Sequence, residues 1–237
     1  MHHIKSQLAS DCLLSFSGGL DSTVLLATLL DEGGTVTCMN FCYGSQHNEL
    51  EREAAKNVAN YYSKKYPGKV QFMEMDVTSI FEGVDSPFLT KGAELPEGKY
   101  LGETMKDTVV PARNLVFGSI MASVASAKKI EMIALGIHTN DSDVYPDCSY
   151  AFYFALREVV REATGLQVMV IAPFVNASKA EIVERGVKLH VPFALTRTCY
   201  TGGKLACGKC GSCIDRIDAF KQAKEVDTIE YEFLSRH

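Results

Sequence analysis

The sequence predicts a doubly wound α/β fold, with a mostly parallel sheet and helices on both faces. Three observations predict it. Short apolar runs alternate with amphipathic stretches of helical length. Glycine pairs at Gly18-Gly19 and Gly33-Gly34 punctuate the joins. The order strand, helix, strand, helix recurs along the chain, so successive strands need crossovers and pair in parallel.

The elements follow in order. Cys12 to Phe16 is an apolar run ending just before Gly-Gly, as a buried strand does. Asp21 to Glu32 places Val24, Leu25, Leu29 and Leu30 at helical spacing and stops at Gly33. Thr35 to Tyr43 is β-branched and aromatic, a second strand. Glu49 to Lys65 reads as a charged amphipathic helix, and Val70 to Met75 as a third strand. Residues 113–128 form a helix, then Met132 to Leu135 a strand. Tyr150 to Ala163 is helical, Val168 to Ile171 a fifth strand, and Lys179 to Lys188 a helix. Residues 1–190 make the α/β domain, and 191–237 a small C-terminal knuckle and helix. Val77 to Thr108 breaks the pattern, with two prolines, four glycines and little periodicity. A connection of this length reads as a lid over the site, the bland alternative being a plain surface loop.

Composition narrows the function. The hydrophobic share of 46% over 237 residues supports one sizeable core. A net charge of −5 lacks the basic surplus of a phosphate-gripping nucleic-acid binder, so a nucleic-acid partner is not expected. There is no apolar span of roughly 18 residues. The opening residues Met1 to Lys5 show no secretory pattern, so a cytoplasmic protein is expected, with its eight cysteines reduced.

Two motifs carry chemistry. Ser17-Gly18-Gly19-Leu20-Asp21-Ser22 follows the first strand. Its glycines bring bare N–H groups to a ligand at the positive end of the next helix, and both serines add hydroxyls. Asp21 beside phosphates makes sense with Mg²⁺ between them. The Gly-Lys-Ser/Thr ending of a Walker loop is missing. The alternative is a simple strand–helix turn with a capping Asp-Ser. The second motif is Cys199-x7-Cys207-x2-Cys210-x2-Cys213, a spacing that suits tetrahedral Zn²⁺ in a closed, structural site. Iron–sulfur ligation uses four cysteines as well.

The loop resembles the PP-loop of ATP pyrophosphatases, with the fold of adenine nucleotide alpha hydrolases. Tyr43-Gly44-Ser45-Gln46-His47, Val110-Pro111-Ala112-Arg113-Asn114, Tyr145-Pro146-Asp147-Cys148, Ser178-Lys179-Ala180-Glu181 and Thr198-Cys199-Tyr200 carry the likeness further. With the four cysteines, these stretches resemble the 7-cyano-7-deazaguanine synthase family over most of the chain. That resemblance implies adenylation of 7-carboxy-7-deazaguanine by ATP, amide formation with ammonia, a second ATP-dependent activation and loss to the nitrile, in queuosine biosynthesis. It implies nucleotide contacts from Ser15, Phe16, Ser17, Gly18, Gly19, Leu20, Asp21, Ser22 and Gly136. It implies catalytic roles for Asp21, Arg113, Lys179 and His47, and substrate contacts from Tyr145, Asp147 and Asp141. Four of them have a plainer reading: Arg113 as a surface arginine, Asp147 as cap of the following helix, Lys179 as a solvated lysine, His47 as a helix cap.

The chain departs from the family's pattern. The family carries arginine at the positions of Gln46 and Ser149, and glycine at those of Ala112 and Val144. A second reading follows: a diverged ligase that activates the same acid and joins it to another amine, on a protein for example. A tRNA-modifying enzyme and a catalytically silent nucleotide-binding regulator are further alternatives. A homodimer is compatible with all of these.

Overall fold

The computed structural model describes residues 10–91, 93–98, 105–201 and 203–233. Residue 92 and residues 99–104 of the expected lid lie outside the described residues.

Five strands build the sheet: β1 (Asp11–Ser15), β2 (Thr35–Cys42), β3 (Val70–Asp76), β4 (Met132–Ala134) and β5 (Met169–Ile171). Their order is β3-β2-β1-β4-β5, and every pairing is parallel. The doubly wound expectation holds. Chain order reverses between β1 and β4, so a crevice opens beyond their carboxyl ends, where such sheets bind ligands.

Among the described residues six α-helices flank the sheet: α1 (Leu20–Asp31), α2 (Asn48–Lys65), α3 (Arg113–Lys128), α4 (Tyr150–Ala163), α5 (Lys179–Lys188) and α6 (Gly211–Gln222). The period of two along β1 decides the layers. Cys12 and Leu14 join one core with residues of α1, α2, α5 and α6. Leu13 joins the other with residues of α3 and α4. The C-terminal region shares the first core through Val191, Phe193, Ala219 and Phe220.

Caps set two helix starts. Ser149 accepts from the Phe152 N–H and opens α4. Ser178 and Glu181 form a reciprocal capping box that opens α5, satisfying two end donors at once. The start of α3 is less comfortable. Ala112 precedes it with φ of 54°, a left-handed conformation that costs an L-residue about 1 kcal/mol.

The described part of residues 77–108 is anchored. Phe81 and Phe88 are buried in the second core. The Gln46 side-chain amide donates to the carbonyls of Pro87 (3.0 Å) and Ala93 (3.1 Å). Glu97 pairs across a β-bridge with Cys210, and the Gly98 N–H donates to the Lys209 carbonyl.

Candidate active site

The crevice is floored by the Ser17–Ser22 turn. Gly19 is the N-cap of α1 with no side-chain cap, so the first-turn N–H groups face the cleft mouth without a capping side chain. The Ser17 hydroxyl accepts from the Gly19 N–H at 3.1 Å and lies 3.1 Å from the Ser22 hydroxyl. Gly18 has φ of 74°, and a Cβ there would fall 2.4 Å from the Ala55 backbone nitrogen. Only glycine lets this loop approach α2 so closely.

The expected residues divide into two groups. Ser15, Ser17, Gly19, Leu20, Asp21, Ser22, His47, Arg113, Gly136, Asp141 and Lys179 all line one cleft. Phe16, Gly18, Tyr145 and Asp147 are not among its lining residues. Phe16 is a core side chain whose carbonyl accepts from the Asn40 amide. The Gly18 carbonyl accepts from the Arg197 N–H. The Tyr145 hydroxyl bonds that of Thr108 at 2.6 Å. One Asp147 oxygen accepts the Asn114 N–H at 2.8 Å, so this carboxylate caps α3 rather than the helix that follows it. Ser149 does that job instead.

Lys179 is buried at the start of α5, not solvated. Its ammonium lies 3.6 Å from Asp21 Oδ2 and 2.5 Å from Asp215 Oδ2. Burial opposes the charge, yet Asp21, Asp141 and Asp215 outweigh it and hold Lys179 well above the ordinary lysine range. Burial raises the Asp141 carboxyl, against the pull of Lys179 and His138. Asp21 Oδ1 is buried with no hydrogen-bond partner. A cation such as Mg²⁺ fits that orphaned oxygen.

The opposite wall is aromatic. Arg113 stacks over Tyr43 with 5.5 Å to the ring centroid, and its Nη1 donates to the Tyr43 hydroxyl at 3.3 Å. Burial, then the Glu51 charge, pushes the Tyr43 phenol up to about 12, so it stays protonated. His47 makes no side-chain cap bond. Its Nε2 lies 3.4 Å from Glu51, and its ring contacts Phe88 and Tyr200.

Beside the cleft, Cys199, Cys207, Cys210 and Cys213 are all buried, with sulfurs within 4.8 Å of one another. Cys207 and Cys213 sulfurs are 3.9 Å apart, against roughly 3.8 Å for a tetrahedron with 2.3 Å Zn–S bonds. The Cys207 sulfur accepts the N–H groups of Lys209 and Cys210, and the Cys199 sulfur those of Thr201 and Cys207. Such donors suit thiolates, so the four residues fit a zinc ion. Burial raises the thiols of Cys12 and Cys38 in the core, that of half-buried Cys42 and that of Cys148 at the cleft wall, which disfavours the thiolate form a metal ligand needs.

Sequence reasoning missed several contributors. Asp215 and His138 bear on Lys179 and Asp21, and Glu51, Phe88, Asn114 and Arg197 line the cleft. Asn114 and Tyr200 stood inside motifs already singled out. For His138, Asp215 and Arg197 no local pattern marks the role, because each acts across distant segments.

Fold and site define a class: an α/β protein with a glycine-rich loop and an uncapped helix start at the switch point of its sheet, and a four-cysteine metal-type site. Residues 11–224 match the family described as queuosine biosynthesis protein QueC, and the chain belongs to that family. It is 38% identical over 216 residues to a 7-cyano-7-deazaguanine synthase from Caldicellulosiruptor bescii, covering 91% of this chain and 95% of the relative. The same name is carried by a relative from Hahella chejuensis, 39% identical over 92% of this chain and 91% of its own. Among solved structures, an NMN synthetase from Francisella tularensis aligns at TM-score 0.42 and 13% identity, covering 84% of this chain and 74% of that one.

No described helix is long and apolar enough to cross a membrane.

Proposed function

We propose that this chain is a cytoplasmic 7-cyano-7-deazaguanine synthase. The observation that carries the reading is the convergence of the Ser17–Ser22 loop, Lys179 and Arg113 on one cleft. It stands in a chain 34–39% identical to proteins of that name. Those relatives favour nitrile synthesis over the diverged ligase.

The chemistry needs an activated acyl group, because a carboxylate is a poor acyl donor. The carboxylate of 7-carboxy-7-deazaguanine attacks the α-phosphate of ATP and releases pyrophosphate. Ammonia displaces AMP to give the primary amide. The amide oxygen attacks the α-phosphate of a second ATP and releases a second pyrophosphate, and loss of AMP and of both amide N–H protons leaves the nitrile. The loop N–H groups and serine hydroxyls receive the departing pyrophosphate. Mg²⁺, held by Asp21, would supply charge neutralisation on the phosphates. Lys179 holds the Asp21 carboxylate at the loop, and Arg113 places a cation on the opposite wall. Zinc, held by the four cysteines, would tie Cys199 to the Cys207–Cys213 turn beside the cleft. Tyr145 and Asp147 act from behind the wall, through Thr108 and Asn114.

The test is pyrophosphate release from Mg-ATP with and without the acid. Release that depends on 7-carboxy-7-deazaguanine supports the reading. Release that other carboxylates promote equally well contradicts it.

A further inference from the structure

Arg197 lies on the segment between α5 and the cysteine loop, and it lines the cleft. Its backbone N–H donates to the Gly18 carbonyl at 3.1 Å, so the segment is stitched to the Ser17–Ser22 turn. A Cβ built on Gly19 would meet the Arg197 carbonyl at 3.3 Å, so the two backbones run close together.

The guanidinium is only partly used by the protein. Nη2 donates to the carbonyls of Thr201 (2.6 Å) and Gly203 (2.9 Å), both in the cysteine loop. Nε is buried without a hydrogen-bond partner. Among the described residues no carboxylate pairs with Arg197, although an unpaired charge out of full contact with water is costly. Arg216, from the same region, shows what a satisfied arginine looks like here. It is fully buried, and Asp227 takes Nε at 2.7 Å and Nη2 at 2.9 Å while Thr196 takes Nη1 at 2.7 Å. Lys179, the other cation by the loop, already faces three carboxylates. Gln46 and Ser149 bring no charge, and their side chains serve loop anchoring and helix capping.

We propose that Arg197 is a phosphate-contacting cation of this cleft, donating its unspent N–H groups to oxygens of the pyrophosphate held by the Ser17–Ser22 loop. The inference rests on the phosphate-loop reading above and adds a residue to it. It also gives the cysteine loop a part in binding: the Thr201 and Gly203 carbonyls aim the guanidinium, so the folded loop presents the cation to the phosphates. A planar guanidinium clamped at one nitrogen keeps its other donors in a fixed direction, which suits bidentate phosphate recognition.

The test is calorimetric titration of the zinc-loaded protein with inorganic pyrophosphate and Mg²⁺, comparing wild type, Arg197→Met and Arg197→Lys, with zinc content measured on each. Arg197→Met is expected to bind roughly tenfold to hundredfold more weakly, with zinc retained. Arg197→Lys, keeping charge without the fork, is expected to lie between. Unchanged pyrophosphate affinity in Arg197→Met overturns the assignment. Loss of zinc from both variants in step with affinity overturns it too, because the side chain would then only brace the loop. Wild-type protein that binds no pyrophosphate sinks the phosphate-loop reading itself, a different failure from an inert substitution.

Discussion

Lys179 and Asp21 meet at 3.6 Å, joining the first turn of α5 to the first turn of α1 at the Ser17–Ser22 loop. Two segments far apart in the chain thus share one buried ionic centre, completed by Asp141 and Asp215. Removing the buried cation leaves three half-buried carboxylates facing one another without a counter-charge. Lys179→Met is therefore expected to lose about 3–5 kcal/mol of stability at neutral pH, the scale for breaking a buried pair. The pH dependence has a definite sign. The folded value of Lys179 is raised, so its contribution is fully present below the unfolded lysine pKa of about 10.4 and lost as pH rises through the folded value. Urea unfolding of both proteins at pH 7 and above pH 10 checks this. A gap that widens with rising pH contradicts it.

Asp21→Asn keeps the side-chain shape and removes one of the three carboxylates around Lys179, leaving Asp141 and Asp215 to pair with it. The fold should persist, and acid-dependent pyrophosphate release should fall by about 10²-fold or more. Near-normal release from the variant would remove Asp21 from the proposed Mg²⁺ site.

Ala112 explains one departure from the family's pattern. Its φ of 54° is a glycine conformation occupied by alanine at the start of α3. Ala112→Gly should relieve strain and raise stability by up to about 1 kcal/mol, the unfolded-chain entropy of glycine offsetting part of the gain. Denaturant midpoints measure it, and a clear loss of stability would show that the strain is not real.

The cysteine cluster should carry about one zinc per chain, as one four-thiolate site holds one ion. Iron with acid-labile sulfide in elemental analysis would refute this. Cys210→Ser should lower stability first. It should also loosen residues 93–98, because Glu97 pairs with Cys210 and Gly98 with Lys209. Hydrogen exchange at Gly98 reads that coupling, and unaltered protection would sever the knuckle from the 77–108 segment.

Much of the fold was legible because its signals are local. The helices at Tyr150–Ala163 and Lys179–Lys188 are found where read, since Ser149 and Ser178 mark their starts chemically. Strand ends shifted by a residue: Phe16 and Leu135 lie beyond β1 and β4, although each still bonds like a strand residue, Phe16 to Met39 and Leu135 to Ile171. The loop and the cysteines were legible because their spacing is itself the chemistry. Arg197 was not, since an arginine between two threonines has no periodicity and meets Gly18 only through the folded sheet. Asp147 was hard to place for a related reason. It was expected at the substrate, with a cap of the following helix as the plainer reading, yet its carboxylate accepts the Asn114 N–H on another helix.

The count of AMP formed per 7-carboxy-7-deazaguanine consumed decides whether the reaction runs to the nitrile. Zinc-loaded protein with Mg-ATP and ammonia is followed by nucleotide chromatography and product mass spectrometry. The second activation is the more demanding, because a neutral amide oxygen is a weaker nucleophile than a carboxylate. Loss of charge at Gln46 and Ser149 would harm it first, unless a cation such as Arg197 serves the cleft instead. The account predicts a ratio near two with 7-cyano-7-deazaguanine as product. A ratio near one, with the reaction stopped at the amide, would contradict it.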